Sequence, residues 1–403
     1  MTATVERPHL ARPFSHTVLI DSAALDDVTV LLRLYRTVYG DAYPLRLGTD
    51  PQAMTAALTD AAVQWWVARD VATGAVVGSG LLRTDPVARI GKVEGIAVHP
   101  DRGGEGIAGL LLDALVASAF GPLGRLDSVY ATARCVSPAA QRVLLRHGFQ
   151  PMGLLPGAVK LRETETLALL VRYRDGVPAP RKALGRVPEE VAALLAAAGS
   201  HGLDVSFDFD FDPDSNSDFT GVRPEPSVER TSSRSGAGLD VSQDAALVRR
   251  RYARAHTRET GVALHQPNTL LASSDGRYEQ FAVIDPTAGS GLLLGGPSSL
   301  DSPEAPEAPE GMLGEVVQAM AERGAAYVEA VLPLHDRRQI ERFLAYGFAA
   351  GAVYPAMRLK DGVWHDYVVL SRTTDRPDTR SLCVDDRFTP YLKLHGRSSR
   401  GDA

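Results

Sequence analysis

The hydrophobic and polar positions of the first half of the chain predict helices and strands in alternation. Apolar residues at helical spacing predict helices, and short β-branched runs separated by turn residues predict strands. The predicted helices are 26–40, 107–120 and 137–147, and the predicted strands are 63–69, 75–83, 92–98, 128–133, 152–155 and 166–173. This alternation is typical of an α/β (α+β) domain.

The second half of the chain repeats this order in outline. In each half a predicted helix is followed by Gly-Phe, at Gly148-Phe149 and at Gly347-Phe348, and then by a strand that contains proline. The predicted helices are 244–257, 315–323 and 336–345, and the predicted strands are 270–273, 280–284, 291–294, 327–331 and 367–372. Matched order across five elements favours duplication of one α/β unit.

The stretch between the two repeats has a different composition. It begins with prolines and basic residues, includes a short alanine-rich helix ending at Gly199, and continues with aspartates at 204–220 and with Ser, Pro and Gly at 223–238. Such a stretch buries too little apolar surface to offset its ordering entropy, which favours a linker. We expect no calcium loop there, because Pro213 and Phe219 stand where such a loop needs glycine and glutamate. The predicted parts are a first domain at 15–177, a linker at 178–243, a second domain at 244–375 and a C-terminal tail at 376–403.

Length and composition exclude several classes of protein. The chain has 403 residues, 44% of them hydrophobic and 23% charged, which can supply two cores. Its net charge of −6 argues against a nucleic-acid binder, and no apolar run approaches the roughly 20 residues of a membrane span. Cys135 and Cys383 are too few for a disulfide framework or a cysteine-based zinc site. Together with a charged, proline-containing start, these features favour a cytoplasmic protein with a small-molecule partner.

One segment, from Ile96 to Ala108, carries a chemical signature. Its sequence Ile-Ala-Val-His-Pro-Asp-Arg-Gly-Gly-Glu-Gly-Ile-Ala predicts a strand, a glycine-rich turn and the first turn of a helix. Small residues let backbone N–H groups approach a ligand, and a helix N-terminus adds partial positive charge, so the segment suits a pyrophosphate. It has neither the Gly-Lys-Ser/Thr of a Walker loop nor the spacing of a dinucleotide fingerprint. Taken alone, the loop leaves a plain glycine turn open as the alternative.

With its surroundings, this segment resembles the GNAT superfamily of acyl-CoA-dependent acyltransferases. The resemblance covers about 17–173 and rests on Val98-His99-Pro100, Gly106-Ile107-Ala108, Ser137-Pro138-Ala139-Ala140 and the stretch 144–149. It implies a mixed, mostly antiparallel sheet flanked by helices in each of the two domains. It also implies an N-acetyltransferase that uses acetyl-CoA as co-substrate and needs no metal.

The resemblance implies where acetyl-CoA binds. The implied donors to the pyrophosphate are the backbone N–H groups of Gly104, Gly106, Ile107 and Ala108. A splayed strand at Ala97 and Val98 would pair with the pantetheine, with the Val98 N–H facing the thioester oxygen. Gly103 stands where the family usually has Arg or Gln, with Arg102 one position away, and both are assigned to this site. Ser137, in place of a frequent asparagine, is assigned to it as well.

The acid and base of the reaction are less directly indicated. Leu144 replaces the tyrosine that often protonates the departing thiolate in the family, so Cys135, His147, a water or no acid at all remain open. We expect Cys135 to be a small core residue and His147 a cation at a helix C-terminus.

Glu94 is the predicted base, ahead of His99. Alternation along a strand predicts that Glu94, Ile96 and Val98 share one face, and a carboxylate there could accept a proton from an attacking ammonium. A salt-bridged structural glutamate is an equally good interpretation. The tryptophans at 65 and 66 are expected to divide between the core and the acceptor groove.

The second domain resembles the family only in its closing half. At the place of the glycine loop it has Ser-Gly-Leu-Leu-Leu-Gly-Gly-Pro at 290–297 and then a Pro-Glu-Ala repeat at 302–310, which would repel a pyrophosphate. We therefore expect a degenerate copy. The favoured function is acetyl transfer from acetyl-CoA to a primary amine of a small molecule or peptide. The alternatives are an acyl-CoA-binding sensor or scaffold without turnover and, third, another acyl-CoA reaction on the same loop.

Overall fold

The structure, a computed structural model, describes most of the chain. The described residues are 17–40, 43, 46–121, 125–161, 163–177, 181–200, 239–255, 265–275, 278–294, 311–374 and 382–398. The segments 204–220, 223–238, 295–297 and 302–310, about which the sequence made predictions, lie outside these residues.

The described elements alternate between strands and helices. The strands are β1 (Val18–Ser22), β2 (Val63–Asp70), β3 (Val76–Asp85), β4 (Ile90–Val98), β5 (Ser128–Arg134), β6 (Gln150–Lys160), β7 (Thr164–Tyr173), β8 (Leu239–Ser242), β9 (Thr269–Ser273), β10 (Glu279–Asp285), β11 (Ser290–Leu294), β12 (Tyr327–Pro333), β13 (Ala349–Lys360) and β14 (Val363–Thr373). The helices are α1 (Val28–Tyr39), α2 (Pro51–Thr59), α3 (Ile107–Phe120), α4 (Ala139–Arg146), α5 (Glu189–Gly199), α6 (Ala245–Ala255), α7 (Met312–Ala321), α8 (Arg337–Ala345) and α9 (Thr389–Ser398). Among the helices of the described ranges, none is both long and apolar enough to cross a membrane.

The chain folds into two compact units. The described residues of unit 1 lie within Met1–Thr132, Arg142–Phe149 and Arg172–Asp175, and those of unit 2 within Ala133–Gln141, Gln150–Val171 and Gly176–Ala403. In unit 1 the strands β1 to β5 lie side by side in chain order. The pairs β1–β2, β2–β3 and β3–β4 are antiparallel, and β5 pairs parallel to β4 after the crossover through α3. This confirms the predicted α/β class with a mixed, mostly antiparallel sheet.

Helices cover both faces of the unit 1 sheet. On one face α1 and α2 pack over a core that includes Tyr35, Met54, Trp65 and Leu81. On the other face α3 approaches closely, because a Cβ at Gly78 would lie 2.9 Å from Ile107. Trp65 and Trp66 are 4% and 9% exposed, and Trp65 belongs to the α1–α2 core, whereas a place for Trp66 in the acceptor groove stays a prediction.

Unit 2 contains a longer sheet, in the order β7-β6-β13-β14-β12-β11-β10-β9-β8. Its strands β8 to β12 repeat the pattern of β1 to β5, with three antiparallel pairings and then a parallel pairing of β11 with β12 after the crossover through α7. The hairpins β6–β7 and β13–β14 also share their register breaks, at Pro151/Gly153 and Leu155/Val159 and again at Ala350/Ala352 and Tyr354/Arg358. The predicted duplication of one α/β unit stays a prediction.

Several boundaries differ from the sequence prediction. The predicted linker contains β8 at its end, and this strand pairs with β9. The predicted C-terminal tail contains α9, where the side chain of Tyr391 is fully buried and its hydroxyl donates to the Pro151 carbonyl at 2.7 Å. Short elements of low amphipathic contrast were missed, namely β1, α2 and β8.

Candidate active site

Strand β4 carries a bulge where the predicted site lies. Glu94 pairs with Leu81 and Ala97 with Ser79, so two residues of β4 face one residue of β3. The first of the two is Gly95, which adopts a φ of +67°, and a Cβ there would lie 2.9 Å from the hydroxyl of Tyr35. Glycine is therefore required at this turn of the strand.

Two tyrosines of α1 hold the bulge in place. The Tyr35 hydroxyl donates to the Gly95 carbonyl at 2.6 Å and the Tyr39 hydroxyl donates to the Ile96 carbonyl at 2.5 Å. Tyr39 and Tyr43 stack with ring centroids 4.5 Å apart. Burial raises the pKa of Tyr35 above its ordinary value, so its phenol stays protonated and donates. This cluster was not predicted, although tyrosines four apart on one helix and a glycine within a strand are signals that the sequence carries.

Beyond the bulge, one edge of β4 is open. The ladder between β4 and β5 runs from Ile90 paired with Ser128 to Val93 paired with Ala131, and β4 continues to Val98. The His99 N–H donates to the Val77 carbonyl at 2.8 Å. Because hydrogen-bonded and non-hydrogen-bonded pairs alternate in an antiparallel ladder, the Val98 N–H points away from β3, toward the edge that the β5 ladder has left.

The loop after β4 forms an open cradle at the start of α3. Gly104 and Gly106 adopt φ values of +84° and +79°, and no atom lies within 4 Å of a Cβ built on either. Gly106 is the N-cap of α3, so the N–H groups of Ile107 and Ala108 have no intrahelical acceptor. Among the described residues, none outside the helix accepts a hydrogen bond from them either. Such N–H groups with the helix dipole behind them suit an anion of the size of a diphosphate.

A family model covers the part of the chain that contains this bulge and loop. Residues 29–149 match the model of the acetyltransferase (GNAT) family. The chain carries a GNAT acetyltransferase domain.

Solved structures are similar to part of the chain. A ribosomal-protein-S5-alanine acetyltransferase from Vibrio fischeri is 15% identical with a TM-score of 0.37, over 41% of this chain and 98% of the other. A spermidine N-acetyltransferase from Vibrio cholerae, solved with CoA and spermine, is 15% identical with a TM-score of 0.35, over 40% of this chain and 97% of the other. At this identity neither substrate carries over to this chain. No curated protein matches it.

In the GNAT domain Arg102 is committed to the loop itself. Its Nε and Nη2 donate to the two carboxylate oxygens of Glu105 at 2.7 and 2.8 Å, and its Nη1 donates to Asp70 at 2.6 Å. The Arg102 guanidinium lowers the pKa of both carboxyls below their ordinary values. In this conformation three donors of Arg102 are bound to the two carboxylates, and its contact to phosphate stays a prediction. Its observed role is to hold the loop against the end of β2.

Glu94 lies between two cations. Its Oε1 is 3.2 Å from the Nε of Arg83 and its Oε2 is 3.1 Å from the Nζ of Lys92. Burial raises the pKa of Glu94, but the charges and hydrogen bonds of Lys92 and Arg83 outweigh burial and hold that pKa below its ordinary value. Glu94 is thus an ionised carboxylate at neutral pH.

The predicted shared face of Glu94, Ile96 and Val98 is wrong. Paired residues of neighbouring strands share a face, and Glu94 pairs with Leu81 of the α1–α2 core, whereas Val98 pairs with Gly78 on the α3 face. The bulge at Gly95 breaks the alternation and puts Glu94 on the same face as Ala97. Glu94 therefore faces α1 and the tyrosines.

The candidate acids have structural contacts of their own. His147 Nδ1 lies 2.6 Å from Asp113 Oδ1, and a Cβ at Gly109 would lie 2.7 Å from its Nε2, so the imidazole packs on α3. His99 Nδ1 accepts the Asp101 N–H at 3.3 Å. Leu144 is buried, as expected of a core leucine in α4.

Two of the predicted site residues belong to unit 2. Cys135 is 1% exposed, and burial raises the pKa of its thiol to about 12, in agreement with the expected small core residue. Ser137 is exposed, and its Oγ accepts the Ala139 N–H at 3.3 Å at the start of α4. Across the described ranges, no group of three or more His, Cys, Asp or Glu could hold a metal ion.

The N-terminus of α7 in unit 2 resembles that of α3 in unit 1, but a different side chain contacts it. Gly311 is the N-cap of α7 with a φ of +88°, as Gly106 is of α3, but the Gly311 N–H donates to the Tyr346 hydroxyl at 2.8 Å. Arg372 donates to the Tyr346 carbonyl at 3.1 Å, as Arg172 does to the His147 carbonyl at 2.5 Å. At the start of α7 a phenol thus takes a donor that a phosphate would need.

Proposed function

We propose that the GNAT domain transfers an acetyl group from acetyl-CoA to a primary amine of a small molecule or peptide. One observation carries this proposal: an open glycine cradle at the N-terminus of α3 is joined directly to a strand whose edge is free beyond Val93. A cradle alone suits many anions. A cradle beside a free strand edge suits a diphosphate whose attached chain contains amide groups.

The residues of the loop and of β4 fit acetyl-CoA. The N–H groups of Gly104, Gly106, Ile107 and Ala108 would hold the diphosphate, and Gly103 leaves the backbone uncovered. Ala97 and Val98 would pair with the amides of the pantetheine. Arg102 acts through the shape of the loop. When bound, acetyl-CoA supplies an acyl group activated as a thioester.

The chain's own groups would then polarise the acyl carbon and receive the proton of the amine. The Val98 N–H is a fixed donor on the open edge and would stabilise charge that develops on the acyl oxygen. Glu94, ionised and on the α1 face, would accept the proton from the ammonium directly or through one water. Holding amine and acyl group together contributes by orientation. CoA leaves as a thiolate, which is a good leaving group and takes its proton from water, so the leucine at 144 is compatible with turnover.

A second candidate function is acyl-CoA binding without turnover. Leu144 in place of a tyrosine and the double ion pair of Glu94 favour it, because both leave the site poor in groups that move protons. The cradle would be needed in either case.

Release of free CoA thiol from acetyl-CoA, measured with the full chain and a panel of primary amines, separates the two functions. Acceptor-dependent thiol release supports acetyl transfer. Tight acetyl-CoA binding in calorimetry with no thiol release would replace it with the second function, and no binding at all would overturn both.

We further propose that residues 244–375, together with β8, form a second GNAT-like copy without an acetyl-CoA site. The recurrence of the β1–β5 pattern in β8–β12 supports the copy. The hydrogen bond between Gly311 and Tyr346 supports the loss of the site.

A further inference from the structure

A cluster of two cations and one carboxylate lies on the α1 face of the GNAT domain, where β4 and β5 begin to separate. Glu94 is the first residue of β4 beyond the last pairing with β5, and Arg83 and Lys92 pair with each other across β3 and β4. The side chains of Arg83, Lys92 and Glu94 are 26%, 20% and 9% exposed. All three therefore face the same half-buried place.

The charges of this cluster do not balance. Glu94 is one carboxylate between two cations, and the next acid, Asp60, lies 4.0 Å from Arg83 with 47% of its side chain exposed. Such an exposed pair contributes little because water screens it. The half-buried part of the cluster therefore has one positive charge in excess.

Hydrogen-bond donors are also left over. Within the described ranges, the Nζ of Lys92 pairs with Glu94. The Nε of Arg83 donates to Glu94, and its Nη1 makes the long contact to Asp60. A guanidinium has five N–H donors and an ammonium three. Half-buried donors of charged groups are costly unless they are paired, and a carboxylate is the partner that a guanidinium fits best.

On the basis of the proposed function, on which this inference rests, we propose that the amine acceptor is an amino acid-like molecule whose carboxylate binds Arg83 and Lys92. The Nζ of Lys92 lies 3.1 Å from the Oε2 of Glu94, so a carboxylate bound to the remaining donors of Lys92 would leave an amine a few bonds away within reach of Glu94. The same excess charge would repel a second ammonium group. Arg83 and Lys92 thus select acceptors with an anionic group and disfavour polyamines.

The test compares acceptors that differ only in this group. Thiol release from acetyl-CoA is measured with the full chain for β-alanine and β-alaninamide, for γ-aminobutyrate and its amide, and for aminoethylphosphonate, putrescine and spermidine. We expect kcat/KM to be at least tenfold higher for a carboxylate acceptor than for its amide, and lowest for spermidine. Preference for the phosphonate would support an anion site at Arg83 and Lys92 but would overturn the carboxylate as its ligand. Preference for amides or polyamines would overturn the proposal while leaving acetyl transfer intact, whereas no thiol with any acceptor would overturn acetyl transfer.

A variant series assigns the preference to the cluster. Lys92→Met should raise the KM of the carboxylate acceptor about tenfold or more relative to that of its amide, and Lys92→Arg should restore most of this difference. A change in kcat that comes from the contact of Lys92 with Glu94 should be the same for the acid and the amide. Lys92→Glu should shift the preference toward spermidine. Arg33→Met, a change on the exposed face of α1, is the matched control. Saturation-transfer NMR of β-alanine on the same proteins reads binding without turnover, and equal effects of Lys92→Met on acid and amide would overturn the proposal.

Discussion

The charge state of Glu94 decides what chemistry the α1 face of β4 can support. Two cations lie within 3.2 Å of its carboxylate oxygens and keep its pKa below the ordinary value although the side chain is buried. An ionised carboxylate can accept a proton, but a lowered pKa makes it a weaker base than a free glutamate. Its contribution should therefore lie near the lower end of the ~10²–10⁴-fold typical of general bases.

Glu94→Gln should lower kcat by about 10² and leave the affinity for acetyl-CoA unchanged, because the amide cannot take the proton. Activity of the variant should rise with pH as more of the amine is deprotonated in solution. The measurements are kcat and KM between about pH 6 and 10, and the calorimetric Kd for acetyl-CoA. Glu163→Gln, at an exposed glutamate, is the control. A loss of less than tenfold at every pH would make Glu94 structural, the interpretation that the sequence left open.

Strand β4, the loop that follows it and helix α3 act as one element. The bulge at Gly95 turns the strand toward α1, and the positive φ of Gly104 and Gly106 turns the chain so that α3 begins with free N–H groups. Arg102 fixes the loop between Glu105 and Asp70. The cradle is therefore preformed, which spares a ligand the cost of ordering it.

Gly106→Asp should abolish acetyl-CoA binding in a folded protein. An aspartate side chain would enter the open space in front of α3 and repel the diphosphate. The backbone strain of a side chain at positive φ costs about 1–2 kcal/mol, and Gly362→Asp imposes it in a hairpin of unit 2, where φ is +76° and the space is equally open. Calorimetry with acetyl-CoA should show loss of binding in the first variant and retention in the second, with circular dichroism as the check on folding. Unchanged affinity of a folded Gly106→Asp protein would refute the cradle.

Features with local signals could be predicted from the sequence, whereas features that depend on contacts between elements could not. The glycine loop and α3 could be predicted because glycine spacing and an apolar helix are local signals. The face of Glu94 could not, because it depends on a bulge that the Tyr35 hydroxyl stabilises from another element. Nor could the engagement of Arg102, since Asp70 lies 32 residues away in the sequence. Helix α2 was missed although Asp50 caps it and Pro51 begins it, which are signals that the sequence does carry.

At the scale of the whole molecule, one arrangement of strands occurs twice, and a different side chain packs on the first turn of the crossover helix in each case. Gly109 of α3 faces the imidazole of His147. A Cβ built on Gly314 of α7 would lie 3.6 Å from the ring of Tyr346. The hydroxyl of Tyr346 accepts a hydrogen bond from the N–H of Gly311, the N-cap of α7. The packing of the crossover helix is similar in both units, but in unit 2 a phenol occupies the place of an anion. The proposed loss of the ligand site from one copy would leave this pattern.

The full chain should therefore bind about one acetyl-CoA at saturation, in the GNAT domain of residues 29–149. Tyr346 and the absence of a second glycine loop from the described part of unit 2 are the physical reasons. Isothermal titration of the full chain gives the stoichiometry, and Gly106→Asp, with Gly362→Asp as its control, reports which site is filled. We expect about one site in the wild type and the control, and none in Gly106→Asp. Two sites in the wild type, or one remaining in Gly106→Asp, would show that unit 2 binds the ligand despite Tyr346.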